Sequence, residues 1–179
     1  MLNDNDRPGI AEQYCQATTS SNLRVELDRR SPADILIASG MSNSAMGAYL
    51  LRLRAEYGSD SVPRHSATAT DHRLMMSKLK TLPAVLRAVS AKAYKWGIDR
   101  PEAVALAVVS HWLDDICRFC EGRGLDRIAD TPALSSIRCR HCQGTGKIDI
   151  THGSSGRRMA SYIADCVNIW GRRVSGRMR

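Results

Sequence analysis

Apolar residues recur every three or four positions through much of the chain, which predicts amphipathic α-helices. The stretch 33–58 follows this spacing but is interrupted at Ser39-Gly40, so it predicts two helices joined by a tight turn. Ser31 predicts the start of the first helix, because a proline and, three residues on, an acid follow this capping residue. Gly58 predicts the end of the second helix.

Helical spacing continues in the middle of the chain. It resumes over 71–96, where Pro83 predicts a kink or a restart. Residues 101–116 place their apolar side chains on one face of a further helix, which leads directly into Cys117. The polar stretch 59–70 predicts a loop.

These patterns divide the chain into four parts. Residues 1–30 have mixed charge and little periodicity, and they predict a flexible N-terminal segment. Residues 31–116 predict a helical body, 117–150 a small cysteine module with an internal hairpin or loop and a short strand, KIDI, at its end, and 151–179 a basic closing segment. The predicted fold class is therefore mainly α.

Two copies of one cysteine–glycine frame, CRFCEGRG at 117–124 and CRHCQGTG at 139–146, follow the helical body. The 18 residues between the frames' inner cysteines give the pattern Cys-x2-Cys-x18-Cys-x2-Cys, which lies in the range of structural zinc sites. Four thiolates give zinc a closed tetrahedral site with no open position for chemistry. We therefore predict one structural Zn²⁺ held by four cysteines: Cys117, Cys120, Cys139 and Cys142.

Other interpretations of the cysteines stay open at this point. The frames could hold reduced structural cysteines or a redox dithiol, and His141 or His152 could replace one cysteine as a ligand. Cys15 and Cys166 lie outside the frames and are expected to be small hydrophobic residues. The sequence shows no nucleophile elbow and no phosphate-cradling glycine loop, so we expect the protein not to be an enzyme.

The net charge of +8 is concentrated near the C-terminus. From Arg138 to Arg179, eight arginines and one lysine stand against two aspartates, which gives +7. Such localised charge favours nucleic acid as a partner. The alternative is a solvated tail whose charge only keeps the protein in solution. The chain has neither an apolar run of the roughly 18 residues that a membrane span needs nor a signal-peptide pattern, so we expect a reducing, cytoplasmic location.

The closing segment fits a helix-turn-helix pattern. In this interpretation Met159 and Ile163 pack the first helix, 164–166 form the turn, and Trp170 anchors the second helix. Six polar residues would then contact DNA, the first two of them on phosphates: Arg157, Arg158, Asn168, Arg172, Arg173 and Arg177. The alternative is a basic amphipathic helix that only covers the core.

The chain also resembles known families. The cysteine frame resembles the zinc module of J-domain chaperones, but the chain has two copies of it and no His-Pro-Asp tripeptide. A helical body containing GMSNSAMG (40–47), the two frames, and IWGRRV (169–174) together resemble the late antitermination (Q) proteins of lambdoid phages. In that family an Arg-Met element and a Trp-x-Arg-x-Val helix follow the second frame, and Arg158-Met159 and 170–174 match them.

The second resemblance implies a specific function. Its members bind double-stranded DNA in the phage late promoter, load onto bacterial RNA polymerase paused just downstream and make it resistant to terminators. It implies that residues 31–116 contact the polymerase and that the protein works in the bacterial host cell. Two other classes stay open, namely a zinc-containing DNA-binding regulator of initiation and a chaperone-like zinc interaction module.

Overall fold

The computed structural model describes residues 8–21, 31–41, 45–58, 76–127 and 134–178, so the loop predicted at 59–70 lies outside the described residues. The fold is mainly helical, as predicted. Its elements, in chain order, are α1 (Ile10–Thr19), α2 (Pro32–Gly40), α3 (Ala45–Gly58), α4 (Leu82–Lys95), α5 (Pro101–Leu113), β1 (Leu125–Arg127), β2 (Leu134–Arg138) and α6 (Gly153–Arg177).

The start of α2 has the capping residues that the sequence predicts. The Asp34 N–H donates to Ser31 Oγ at 3.3 Å, and the Ser31 N–H donates to Asp34 Oδ2 at 2.8 Å. This reciprocal pair satisfies two donors that the first turn of a helix otherwise leaves unpaired. Because α2 ends at Gly40 and α3 ends at Gly58, the prediction of two helices with these limits is confirmed.

Prolines begin the next two helices. Pro83 lies in the first turn of α4, and Pro101 is the first residue of α5. Backbone N–H groups in the first turn have no hydrogen-bond partner within the helix, so proline, which lacks one, is tolerated there. The predicted restart at Pro83 is therefore confirmed. The helix predicted over 101–116 ends at Leu113, because Asp114 is extended, with φ −148° and ψ 103°.

The main core forms where α3, α4, α5 and α6 meet. It is aliphatic, as the scarcity of aromatic residues requires, and its fully buried members include Leu50, Leu53, Val85, Val89, Val108, Val109, Met159 and Ile163. The four cysteines of the repeated frames lie between α5 and α6 in the chain, and this core packs the two helices together. The core therefore fixes both ends of the cysteine module.

A second core forms around Trp170 of α6. Its ring is fully buried, meets the ring of Tyr14 edge-on with centroids 4.9 Å apart, and donates from Nε1 to Ser39 Oγ at 3.2 Å. Trp170 thus packs α1 and α2 against α6. The prediction of a flexible segment over 1–30 is wrong for Ile10–Thr19, which form α1. This helix is held in place because Tyr14 is buried against Trp170.

The closing segment is one helix and not a helix-turn-helix. The turn predicted at 164–166 is wrong, since α6 is continuous through these residues. Ala164, Asp165 and Cys166 include no glycine or proline that would break a helix. The buried residues of the segment recur at helical spacing along a single face: Met159, Ile163, Trp170 and Val174. The segment is therefore an amphipathic helix that covers both cores.

The cysteine module contains the hairpin that the sequence allows. Strands β1 and β2 pair antiparallel, with Leu125 opposite Arg138. The prediction of a strand at KIDI (147–150) is wrong. Only Lys147 of these residues pairs, in an isolated bridge with Ile116. Among the described residues no helix is long and apolar enough to cross a membrane.

Candidate metal centre and basic helix

The four cysteines of the two frames form one buried cluster. The thiol sulfurs of Cys117, Cys120, Cys139 and Cys142 all lie within 4.8 Å of one another, and Cys120 Sγ is 3.6 Å from Cys142 Sγ. A tetrahedral ion with metal–sulfur bonds of about 2.3 Å needs sulfurs about 3.8 Å apart, so the cluster fits such an ion. The cluster can therefore hold a metal ion through thiols alone.

Backbone hydrogen bonds join the two frames reciprocally. The Cys117 N–H donates to the Gly146 carbonyl at 2.9 Å, and the Cys139 N–H donates to the Gly124 carbonyl at 2.8 Å. Each bond thus runs from the first cysteine of one frame to the last glycine of the other. The frames are related by an approximate two-fold axis, which explains why the same eight-residue pattern occurs twice.

Glycine amides contact the second cysteine of each frame. The Gly124 N–H donates to Cys120 Sγ at 3.3 Å, and the Gly146 N–H donates to Cys142 Sγ at 3.2 Å. Burial raises the pKa of Cys142, but the Gly146 N–H, the Cys120 thiol and the Gly144 N–H outweigh it and lower that pKa to about 7. Cys142 therefore readily forms the thiolate that binds a metal.

The last position of each frame requires glycine for two reasons. Gly124 has φ +75° and Gly146 has φ +74°, a left-handed backbone that other residues rarely adopt. A Cβ on Gly124 would also collide with the carbonyl oxygen of Gly144, and a Cβ on Gly146 with that of Gly122. The frames can approach closely enough to share one ion only without these side chains.

We expect Gly124→Ala to destabilise the protein more than Gly97→Ala does. Gly97 is also left-handed, with φ +67°, but nothing lies within 4 Å of its Cβ position, so its variant has only the backbone cost of about 1–2 kcal/mol. Gly124→Ala adds the collision with Gly144, at roughly 1–3 kcal/mol. Chemical denaturation of both metal-loaded variants measures the difference. Equal losses of unfolding free energy would contradict the close approach of the frames.

The residues after α5 tie the metal centre to the helical body. Tyr57 Oη donates to Asp114 Oδ2 at 3.2 Å, and Lys147 Nζ donates to Asp115 Oδ2 at 2.7 Å. The bond to Lys147 is the main cause of the lowered pKa of Asp115. Sequence reasoning missed both contacts, because the partners are 57 and 32 positions apart and no local pattern relates them.

The structure does not use either of the histidines that the sequence offered as alternative ligands. Among the described residues, the cluster contains the four cysteines and no histidine. His141 stacks on Phe119, with centroids 3.3 Å apart and planes 7° apart, and His152 precedes the first residue of α6. Sequence reasoning missed the Phe119–His141 stack, although both residues occupy the third position of their frames.

All six predicted DNA-contacting residues are exposed on α6: Arg157, Arg158, Asn168, Arg172, Arg173 and Arg177. At about 100° per residue, Arg157, Asn168 and Arg172 share one stripe opposite the buried face. The Arg158 guanidinium lies 4.2 Å from the ring centre of Trp96, so it is held beside this stripe. The acidic side chain on this side of the helix is that of Asp165.

No protein-family model, curated protein or solved structure matches this chain. Its function is therefore inferred from the four-cysteine centre, the resemblance of its motifs and the basic face of α6. This face consists of Arg157, Arg158, Asn168 and Arg172. The centre is closed, since four buried thiols would fill a tetrahedral ion's positions. A centre of this kind would stabilise the fold and would leave the ion no open position for a substrate.

Proposed function

We propose that this chain is a bacteriophage transcription antitermination factor. It binds double-stranded DNA in a late promoter and engages bacterial RNA polymerase paused nearby, in the cytoplasm of the host cell. The proposal is supported by the resemblance of the motifs, the thiol cluster and the exposed basic residues of α6. In this proposal the protein is not an enzyme, because its binding alone alters the response of the polymerase to terminators.

Zn²⁺ is the ion that this proposal places in the centre. Thiolates without nitrogen or oxygen donors favour zinc, and disulfides are rare in the reducing cytoplasm. Four thiolates around Zn²⁺ leave two net negative charges. Arg118, Arg138 and Arg140 are exposed next to the ligands in the chain and would offset that charge.

The exposed basic face of α6 is the observation that carries DNA binding. An α-helix fits the major groove of B-DNA, and the stripe from Arg157 to Arg172 is about 22 Å long at 1.5 Å per residue. Arginine reads guanine edges or binds phosphate, and asparagine pairs with adenine, so Arg172 and Asn168 suit base contacts. Arg158, held against Trp96, suits a phosphate contact.

The proposal assigns the polymerase contact to the outer surface of the helical body. Tyr94 is 76% exposed, and Leu106 is also exposed across a shallow hollow that Arg87 helps to line. Exposed aromatic and arginine side chains are typical of protein interfaces. Lys78 and Lys80 are exposed before α4. A regulator that acts only at initiation would need the basic face of α6 but not this surface.

We expect Arg172→Ala to weaken binding to late-promoter duplex DNA by about 1–3 kcal/mol, because it removes a groove contact. It should also lower the preference for the late-promoter sequence, because base contacts, and not phosphate contacts, carry sequence information. Fluorescence anisotropy with the late-promoter duplex and with a duplex of unrelated sequence measures both quantities.

Arg52→Ala is the matched control for this variant. Arg52 lies on α3, its side chain is 64% exposed, and its replacement removes the same charge. It should leave duplex binding unchanged. If Arg52→Ala and Arg172→Ala weaken binding equally, the attraction is a bulk charge effect and α6 is not the DNA-binding element.

A further inference from the structure

The Phe119–His141 stack forms an exposed aromatic surface on the cysteine module. The two rings are parallel to within 7°, with centroids 3.3 Å apart, and Phe119 is 65% exposed. An exposed phenylalanine gains little from folding, because the hydrophobic effect rewards only the area removed from water. His141 covers one face of the ring, and the stack therefore presents an aromatic surface to solvent.

Two exposed arginines adjoin this stack in the chain. Arg118 and Arg140 precede the stacked rings at equivalent positions of the two frames, and both are exposed. Each arginine therefore adjoins one of the two stacked rings in the chain. The acidic side chain within the frames, that of Glu121, pairs with Arg123 at 3.1 Å. The surface is thus flat, aromatic and basic.

The stack is also held rigidly. Phe119 lies between Cys117 and Cys120, and His141 lies immediately before Cys142. These buried cysteines fix the backbone on each side of the rings. A partner that stacks on them would not have to order the two side chains first, which lowers the entropic cost of binding.

We propose that the Phe119–His141 stack is a platform for the unpaired bases of single-stranded nucleic acid, with Arg118 and Arg140 on the phosphates. Every nucleobase has a flat π-face, and base–aromatic stacking combined with a basic surface is the usual means of binding single strands. In a duplex those faces are covered by neighbouring base pairs, so a duplex cannot use the platform. An acidic peptide would use the arginines but would gain nothing from the parallel rings.

This inference goes beyond the proposed function and does not depend on it. The duplex-binding face of α6 and the platform are formed by different residues, so the loss of one activity leaves the other measurable. Arg172→Ala should therefore leave single-strand binding unchanged.

The test uses the full-length, metal-loaded protein and a fluorescein-labelled oligonucleotide of twelve deoxythymidines, with binding followed by anisotropy. Phe119→Ala should weaken binding roughly 5- to 150-fold, the range expected for the loss of one stacked base. Phe119→Leu keeps apolar bulk without a π-face and should weaken binding as well, whereas Phe119→Trp should retain it. Tyr49→Ala removes another exposed aromatic ring, on α3, and should have no effect.

Metal content and thermal unfolding of each variant separate loss of stacking from loss of fold. If Phe119→Ala unfolds the module, Phe119→Leu decides the question, because it preserves the side-chain volume more closely. The proposal is overturned if Phe119→Ala or Phe119→Leu is folded and still binds the oligonucleotide as tightly as the unchanged protein does. It is also overturned if polyglutamate binds as tightly as the oligonucleotide and is lost equally on Phe119→Leu, because an acidic polypeptide has no bases to stack.

Discussion

Replacement of Cys139 by serine is expected to release the metal ion and unfold the cysteine module. Serine lacks the thiolate, and the three remaining sulfurs cannot complete a tetrahedral site. Structural zinc supplies on the order of 10 kcal/mol of folding free energy in small modules. The module has little else to replace it, because its buried cluster consists of the four cysteines. Metal analysis of the purified protein should change from one zinc per chain to none.

Cys15→Ser is the matched control for this experiment. Cys15 lies on α1, outside the frames, and its half-buried thiol contacts the Leu51 carbonyl at 3.5 Å. Its replacement makes the same chemical change and should leave one metal ion per chain. Retention of metal and of the melting temperature by Cys139→Ser would contradict the four-thiol centre, as would equal metal loss in both variants.

Trp170→Ala is expected to lower the free energy of unfolding by about 3–5 kcal/mol, the usual cost of removing a large buried aromatic side chain. The indole is fully buried and holds α1 and α2 against α6 through Tyr14 and Ser39. The substitution removes its edge-on contact with Tyr14 and its hydrogen bond to Ser39. Chemical denaturation followed by circular dichroism measures the loss.

The neighbouring Ile169→Ala provides the comparison, because Ile169 is exposed on the same helix. It should cost less than about 1 kcal/mol. Similar losses for the two variants would mean that Trp170 is not the packing centre of this part of the fold. Because α6 also carries the basic face, Trp170→Ala should weaken duplex binding through loss of structure. Ile169→Ala should leave duplex binding unchanged.

The parts of the structure that the sequence predicts correctly are those determined by local chemistry. The capping pattern at Ser31 and Asp34 specifies the start of α2 within four residues. The repeated frame specifies four sulfurs on one site, because its spacing and its glycines leave the chain few other ways to fold. These predictions need no information from distant parts of the chain.

The incorrect predictions concern features that depend on distant partners. The turn predicted at 164–166 came from comparison with a motif, whereas Met159, Ile163, Trp170 and Val174 already share the spacing of one straight helix. The helix α1 was missed because its burial depends on Trp170, far away in the chain. The Phe119–His141 stack depends on the two-fold relation of the frames, which only the folded module reveals.

The most direct test of the proposed function is single-round transcription by purified bacterial RNA polymerase on a template with a phage late promoter and a downstream terminator. The account predicts that the protein increases the fraction of transcripts that extend beyond the terminator. Arg172→Ala should lose this effect, because it weakens binding at the promoter, and Arg52→Ala should retain it. A change in the total number of transcripts, with an unchanged fraction beyond the terminator, would contradict antitermination and identify a regulator of initiation.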